Sequence, residues 1–292
     1  MILVTGATGN VGSEVIGMLS QAGVPVRATA RDSANVPAFA QVEWMQADFT
    51  DSASLARAVA GVDKVVLISP AHVDMVQHQL AVVAAALQAD VKHIVKLSGL
   101  GAGPDAPIRL PRHHYEIEQA IIASGIDYTF VRPNLFMQVL IGSADSIESD
   151  GAIYAPAGDG AISFTDVHDV ASTIVSSLMD QHQENAVLEI TGPAALTYTE
   201  AARQLGQAIG KPVKYIAVDP ETARSAMASS GMDKWLVDAF LELFSIYRAG
   251  YGVSVLSDTV ARVTGRPAIS FADFARRNRA QFAVAEHERV AA

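Results

Sequence analysis

The first twelve residues constrain the fold of this chain more than any other stretch. An apolar run at positions 2–4 is followed by glycines at positions 6, 9 and 12, and then by apolar residues at helical spacing. A buried strand, a glycine-rich turn and a helix in this order are typical of a unit that binds a dinucleotide. The first glycine permits a tight turn, the second lets a pyrophosphate approach the backbone, and the third lets helix and strand pack closely. The helix N-terminus adds free N–H groups and a positive dipole end. The alternative reading is an ordinary turn.

Strand-like and helix-like segments alternate through the first half of the chain. This alternation indicates crossover connections on a parallel sheet. The predicted strands are 2–4, 24–30, 42–47, 64–68, 93–97 and 128–131, and the later predicted helices are 54–60, 75–89 and 112–124. We therefore predict an α/β fold with a doubly wound parallel sheet of the Rossmann type, in which ligands bind beyond the carboxyl ends of the strands.

The second half of the chain is less regular. Residues 1–150 are predicted to form the dinucleotide-binding domain, and residues 151–292 a smaller, mostly helical substrate-binding lobe. Within that lobe, 151–164 has the turn residues of a hairpin or loop. A helix is predicted at 166–179, and a strand at 186–192 is expected to return to the sheet of the first domain.

Composition excludes several classes of function. The 292 residues include no cysteine, which excludes disulfides, thiolate catalysis and cysteine-based metal centres. A net charge of −10 argues against nucleic-acid binding, which needs a basic face. The apolar runs are too short to span a membrane, and the N-terminus lacks a signal peptide, so we predict a cytoplasmic protein. The histidines are scattered and there is no H-E-x-x-H motif, so no metal site is expected.

The candidate cofactor-binding residues all follow a predicted strand. They are Thr5, Gly6, Thr8, Gly9, Asn10, Val11, Gly12, Arg31, Asp48, Phe49, Ser69, Pro70, Ser98 and Pro133. Arg31 suits the 2′-phosphate of NADP, whereas its neighbour Asp32 suits the ribose hydroxyl of NAD. Since Arg31 lies at the strand end, NADP(H) is favoured over NAD(H). Asp48 has an equal alternative as a turn or capping residue.

Candidate substrate-binding residues follow the fourth and sixth predicted strands. They are His72, Phe136 and Met137. For Phe136 and Met137, an ordinary place in the hydrophobic core is the alternative interpretation.

The predicted helix 112–124 begins beside this site and carries the candidate catalytic residues His114, Tyr115 and Glu118. His114 and Glu118 are four residues apart and therefore share one helical face. A carboxylate beside an imidazole orients the ring and raises its pKa, which suits a proton donor near neutrality. The alternative is a surface pair that contributes only about 0.2–0.5 kcal/mol to the stability of the helix.

Several segments together resemble a known family. They are 5–12 (TGATGNVG), 26–32 (VRATARD), 95–98 (VKLS), 128–133 (YTFVRP), 157–169 (AGDGAISFTDVHD) and 264–274 (TGRPAISFADF), with His114 and Glu118. Over nearly its whole length the chain resembles the NmrA-like group of atypical short-chain dehydrogenases/reductases. The resemblance implies that the glycine-rich turn, the arginine after the second strand and the ends of strands three to six hold the cofactor.

One departure from ordinary short-chain dehydrogenases bears on the chemistry. Those enzymes use a Tyr-x-x-x-Lys pair, and no tyrosine here has a lysine four residues on. The resemblance implies instead the quinone- and dye-reducing branch, in which a hydride passes from NAD(P)H to a quinone-like or polycyclic aromatic substrate. Two alternatives stay open: a non-catalytic redox-sensing regulator that binds NADP(H), and an epimerase or dehydratase with tightly held cofactor.

Overall fold

The computed structural model describes residues 1–32, 36–180, 183–253 and 256–282. The strands of these residues are β1 Ile2–Val4, β2 Val26–Ala30, β3 Val42–Gln46, β4 Lys64–Leu67, β5 His93–Leu97, β6 Asp127–Pro133, β7 Ala152–Ala155, β8 Ala186–Ile190 and β9 Lys214–Ala217. The first six helices are α1 Asn10–Gln21, α2 Ser52–Val59, α3 Met75–Gln88, α4 Arg109–Ser124, α5 Ala144–Asp150 and α6 Val167–Met179. The others are α7 Tyr198–Ile209, α8 Pro220–Ser229, α9 Lys234–Arg248, α10 Thr259–Thr264, α11 Phe271–Arg277 and α12 Arg279–Phe282.

Seven strands form one parallel sheet in the order β3-β2-β1-β4-β5-β6-β8. The order reverses between β1 and β4, where Val4 is in register with Ala28 on one side and Val66 on the other. Such a reversal opens a crevice at the carboxyl ends of the strands. The predicted doubly wound sheet is therefore confirmed, and the strand expected at 186–192 returns to it as β8, paired with β6.

The two faces of this sheet are covered by different helices. Helices α2, α3 and α4 cover one face through a continuous apolar core. Helix α1 packs on α6, and α6 contacts β5 and β6 on the other face. Burial on both faces explains why strands such as β4 and β5 are nearly continuous apolar runs.

Helix α4 is longer than the sequence predicts, because it begins at Arg109 rather than at residue 112. Pro111 lies in its first turn, where a missing N–H breaks no intrahelical hydrogen bond. The helix ends as predicted at Gly125, whose φ of 78° places it in the left-handed region.

By their contacts the residues form two compact units. The first consists of Met1–Pro133, Val167–Ile190 and Thr259–Arg266, and the second of Asn134–Asp166, Thr191–Asp258 and Pro267–Ala292. Relative to the predicted boundary at 150/151, this division assigns 134–150 to the second unit and returns α6, β8 and α10 to the first.

The second unit has its own small sheet and an aromatic core. Strands β7 and β9 pair in parallel, and Ala152–Ala155 therefore pairs with a strand some sixty residues later in the chain. Of the two alternatives predicted for 151–164, the hairpin does not form and a loop follows β7. The core of this unit is rich in aromatic side chains, including Phe164, Tyr198, Phe244, Phe271 and Phe274. None of the described helices is long and apolar enough to cross a membrane.

Candidate functional site

The glycine-rich turn between β1 and α1 is built so closely that side chains are excluded. A Cβ on Gly12 would lie 2.3 Å from the carbonyl oxygen of Gly6 and 2.8 Å from Cα of Ala7. Gly6 has a φ of +59°, and a Cβ there would lie 2.8 Å from the carbonyl oxygen of Ile68. These positions require glycine. The turn leaves the first N–H groups of α1 at the carboxyl edge of the sheet.

The other predicted residues of this turn take different positions. Thr5 is buried; its hydroxyl donates to the carbonyl oxygen of Ile68 at 2.7 Å and accepts from the Ile68 N–H at 2.9 Å. This bridge joins the end of β1 to the end of β4. Thr8 and Asn10 are exposed, whereas Val11 is buried beneath the helix.

The ends of β2 and β3 place exposed polar side chains at the same edge. Arg31 directly follows β2 and is exposed. Asp48 accepts hydrogen bonds from the N–H of Thr50 at 2.8 Å and from its hydroxyl at 2.7 Å, and these bonds lower the pKa of Asp48. The alternative of a turn residue thus describes Asp48 well. Phe49 is half-buried.

The loop after β4 carries Ser69, Pro70 and His72. The hydroxyl of Ser69 accepts a hydrogen bond from Nε2 of the buried Gln79 at 2.8 Å. The ring of His72 stacks on His78 at 5.3 Å, and His78 stacks on Phe49 at 5.7 Å.

The histidines are scattered along the sequence, yet the structure brings two of them together with a carboxylate. Ligand atoms of His72, Asp74 and His78 all lie within 4.8 Å of one another. The Nδ1 atom of His72 also accepts the N–H of Asp74 at 3.0 Å. Ring stacking and this turn hydrogen bond account for the closeness of the three side chains.

Five side chains from β5, α4 and β6 form a connected polar group, which we call the charge cluster: Lys96, Ser98, His114, Glu118 and Arg132. Lys96 is fully buried; its Nζ lies 2.9 Å from Nδ1 of His114 and donates to the carbonyl oxygen of Leu97 at 3.0 Å. Glu118 is 1% exposed and accepts a hydrogen bond from the hydroxyl of Ser98 at 2.5 Å. Buried charges of this kind occur almost only when paired.

The partner of Glu118 is Arg132, not His114. The Nε atom of Arg132 donates to Oε1 of Glu118 at 3.0 Å, and a terminal guanidinium nitrogen donates to Oε2. Arg132 also lies 3.7 Å from Glu189. This two-point geometry gives an arginine–carboxylate pair its strength and its fixed orientation.

The predicted electrostatics of His114 are therefore wrong. Burial, and then the neighbouring charge of Lys96, lowers the pKa of His114 well below its ordinary value of 6.5. The expected rise from Glu118 fails because that carboxylate is taken up by Arg132. The alternative of a weak surface pair is also wrong, since Glu118 is buried. Burial likewise lowers the pKa of Lys96; Glu118 opposes this shift and Arg132 adds to it, and the resulting pKa is about 7.

The ring of His114 rests against the backbone at the end of β5. A Cβ on Gly99 would lie 3.0 Å from Cδ2 of His114 and 3.4 Å from Nε2. The half-buried Tyr115 is the next residue of α4 and so points about 100° away around the helix, given 3.6 residues per turn.

The last predicted residues lie after β6. Pro133 is buried, and its carbonyl oxygen accepts the N–H of Leu100 at 2.9 Å. Phe136 and Met137 belong to the second unit, where Phe136 is half-buried and forms an isolated β-bridge with Thr165. Met137 is 1% exposed and lies in the core of that unit. Its packing is that of the alternative interpretation, a core residue.

Sequence reasoning missed Lys96 and Arg132 as members of the site. A signal was available, because each is the single Lys or Arg among mostly uncharged residues of a predicted strand, HIVKL and YTFVRP. A strand that is buried on both faces has no solvent for such a charge, so a partner must lie nearby.

Comparison with known proteins agrees with this geometry. The NmrA-like family model matches residues 1–260 of the chain. The chain belongs to the NmrA-like family. An NAD(P)H azoreductase of Xenophilus azovorans is 41% identical over 98% of this chain and 100% of its own length.

Two solved structures are similar to this chain over nearly its whole length. The NADPH-dependent quinone oxidoreductase of Escherichia coli, complexed with NADPH, is 31% identical and has a TM-score of 0.84, covering 95% of this chain and 99% of that one. The triphenylmethane reductase of Citrobacter sp., complexed with NADP(H), is 27% identical with a TM-score of 0.82 at the same coverage.

The residues of the turn fit a dinucleotide. A Cβ on Gly6 or Gly12 would collide with neighbouring backbone, and one on Gly9 would lie 3.3 Å from the carbonyl oxygen of Gly6. Helix α1 begins within this turn, at Asn10. This combination of close backbone and helix N-terminus is the arrangement that receives a pyrophosphate in dinucleotide-binding folds.

Proposed function

We propose that this protein is an NAD(P)H-dependent reductase that acts on quinone-like or polycyclic aromatic substrates, with NADPH as the preferred cofactor. Two features of one sheet carry the proposal. The glycine-rich turn follows β1 and has no room for a side chain at Gly6 or Gly12, and the neutral His114 of α4 lies beside Gly99, just after β5. Relatives named as an azoreductase, a quinone oxidoreductase and a triphenylmethane reductase support the same class of reaction.

The cofactor would be held by the glycine-rich turn and the strand ends beside it. Gly6, Gly9 and Gly12 would receive the pyrophosphate, with the N–H groups of α1. A bound reduced nicotinamide supplies a hydride, and the protein supplies orientation and any proton that the product needs.

The state of His114 favours substrates that accept a hydride readily. Its lowered pKa makes it a neutral imidazole near neutrality, which offers a hydrogen bond but is not itself a charged acid. An alkoxide product would need a strong acid, whereas the oxygen of a reduced quinone is far less basic. A neutral donor is therefore adequate for a quinone, and the missing Tyr-x-x-x-Lys pair is not required.

The preference for NADPH rests on Arg31. This side chain is exposed directly after β2, where a guanidinium can pair with a 2′-phosphate. The carboxylate of Asp32 beside it would favour NADH instead, so the ratio of kcat/KM for NADPH and NADH is the quantity to measure.

The experiment is a turnover assay with the purified protein. NADPH is mixed with a naphthoquinone, an azo dye or a cationic triarylmethane dye, and loss of the reduced nicotinamide band is followed. We expect turnover with at least one of them. Tight NADPH binding without turnover on any substrate would contradict the proposal and favour a redox-sensing regulator.

A further inference from the structure

Lys96 is a buried cation with no carboxylate of its own. Its Nζ has two acceptors, Nδ1 of His114 and the carbonyl oxygen of Leu97. The nearby carboxylate, Glu118, is held by the guanidinium of Arg132 at two points. A buried charge is costly unless it is paired, so the ammonium of Lys96 releases its proton more easily than an ordinary lysine.

This contact determines which nitrogen of His114 carries the proton. While Lys96 is protonated, its ammonium has only donors, so Nδ1 of His114 accepts and is unprotonated. The neutral ring therefore carries its proton on Nε2. That nitrogen lies on the edge of the ring beside Gly99, and none of the described residues is hydrogen-bonded to it.

We propose that Lys96 acts through His114 as a positioning and proton-supplying residue in the reduction proposed above. Hydride addition to a quinone leaves an anion that takes up a proton at its oxygen. The Nε2–H bond of His114 breaks as the new O–H bond forms. A Nζ–H bond of Lys96 breaks as Nδ1 of His114 gains that proton.

Lys96 and His114 regain their starting protonation states in each turnover. Lys96 ends the step as a neutral amine, and His114 ends it neutral with its proton on Nδ1. The part-buried ring then takes a proton from water at Nε2 and returns its Nδ1 proton to Lys96. This inference rests on the proposed function, since it describes the proton that accompanies that reaction.

The charges around the pair set the pH at which it works. The neighbouring charged and titratable groups of Lys96 and His114 are Glu118 and His113 on α4 and Arg132 on β6. Together with burial they bring the pKa of Lys96 to about 7. Because the relay needs the protonated amine, kcat for a quinone should fall as the pH rises through that value.

The test compares two substrates that differ in their need for a proton. A quinone needs one at oxygen. A cationic triarylmethane dye accepts the hydride at carbon and becomes neutral without a proton. In Lys96→Met we expect kcat for the quinone to fall by about a hundredfold, the scale of general acid catalysis, while dye reduction and the KM for NADPH change little.

The matched control is Lys64→Met. Lys64 is a part-buried lysine at the start of β4 that donates to the carbonyl oxygen of Leu178 at 2.6 Å, away from the carboxyl edge. It should leave both reactions unchanged. In Lys96→Met, an equal loss with both substrates, or no loss with either, would overturn the relay. Wild-type protein that reduces neither substrate would instead refute the proposed function itself.

A second measurement does not depend on the Lys96→Met variant. Nitrogen NMR of labelled imidazoles distinguishes the two tautomers and the imidazolium, and the His114→Gln spectrum identifies the signal. We expect His114 to be neutral with its proton on Nε2 at neutral pH. A Nδ1–H tautomer or an imidazolium would overturn the assignment whether or not Lys96→Met folds.

Discussion

The glycine-rich turn and the charge cluster lie at the carboxyl ends of one parallel sheet and are built in opposite ways. The turn is a contiguous stretch of eight residues whose geometry depends on missing side chains. The cluster joins β5, α4 and β6, and its stability depends on charges that offset one another. The turn should therefore tolerate no added atom, whereas the cluster should tolerate a change of shape better than the loss of one charge.

The largest expected effect is on the cluster. Arg132→Met leaves the carboxylate of Glu118 buried without its cation, which should lower the free energy of unfolding by about 3–5 kcal/mol. Urea denaturation measures this loss. The double variant Arg132→Met/Glu118→Leu replaces the pair by apolar groups and should recover most of the stability.

The control for this variant is an ion pair in the second unit. Arg224 pairs with Asp238 near solvent, where its side chain is 38% exposed. Arg224→Met should cost far less than Arg132→Met, because water replaces the lost partner. A loss from Arg132→Met no greater than that from Arg224→Met would remove the distinction between cluster and surface pair.

The next effect is on the turn. Gly12→Ala places a Cβ 2.3 Å from a carbonyl oxygen, so the turn must open. We expect NADPH to bind about a hundredfold more weakly, equivalent to about 2.7 kcal/mol. Fluorescence titration of NADPH measures this change.

Gly17→Ala is the matched control in the same helix, because the nearest outside atom to its Cβ is Cε1 of Phe39 at 3.8 Å. It should leave NADPH binding unchanged and raise stability by up to about 1 kcal/mol, the helix propensity difference. If the two variants bind NADPH equally, close approach at Gly12 is not what holds the cofactor.

The same contrast explains what the sequence could predict. The turn and the alternating strands are local patterns. The fold class, the binding crevice at the carboxyl ends of the strands and the glycine positions therefore follow from spacing alone. The cluster is assembled from residues 14 to 20 positions apart whose partners depend on the packing of three elements. Helical spacing correctly placed His114 and Glu118 on one face of α4 but could not indicate that Arg132 from β6 takes the carboxylate.

The second unit shows the same limit. Its β7 pairs with β9 across a long separation in the chain, and the nearby turn residues, which suggested a hairpin or a loop, could not indicate this pairing. Met137 illustrates the converse, since an apolar residue after a strand is compatible with a pocket wall or a core, and only packing distinguishes the two.

A smaller effect concerns the turn's neighbour on β2. Arg31→Glu replaces the cation expected to meet a 2′-phosphate by a carboxylate. We expect the ratio of kcat/KM for NADPH over NADH to fall by about tenfold, the equivalent of 1.4 kcal/mol. Arg57→Glu, a charge reversal in α2, is the control for general electrostatics. An unchanged ratio in Arg31→Glu would show that the strand-end arginine does not select the cofactor.

The smallest effect tests how much a buried base costs without a charged partner. His93 lies at the start of β5, the strand that carries Lys96, and its Nε2 lies 2.9 Å from the hydroxyl of Thr129. That hydroxyl donates to the carbonyl oxygen of Gln183 at 2.6 Å, so Nε2 must be the donor to Thr129. Burial, with the charge of Lys64, lowers the pKa of His93 to about 4, and Asp127 opposes this shift.

Because the pKa of His93 is lower in the folded than in the unfolded chain, the unfolded chain binds more protons between about pH 6.5 and pH 4. Stability should therefore be complete above this window and decrease as the pH falls through it. Between pH 7 and pH 6 the loss should be about half a kcal/mol. His93→Gln keeps a donor for Thr129 but does not titrate. Its free energy of unfolding, measured by urea denaturation, should therefore depend less steeply on pH than that of wild type.

Equal slopes in the two proteins would mean that burial without a counter-charge does not perturb His93. The large cost assigned to the charge cluster would then have to come from its geometry rather than from its burial.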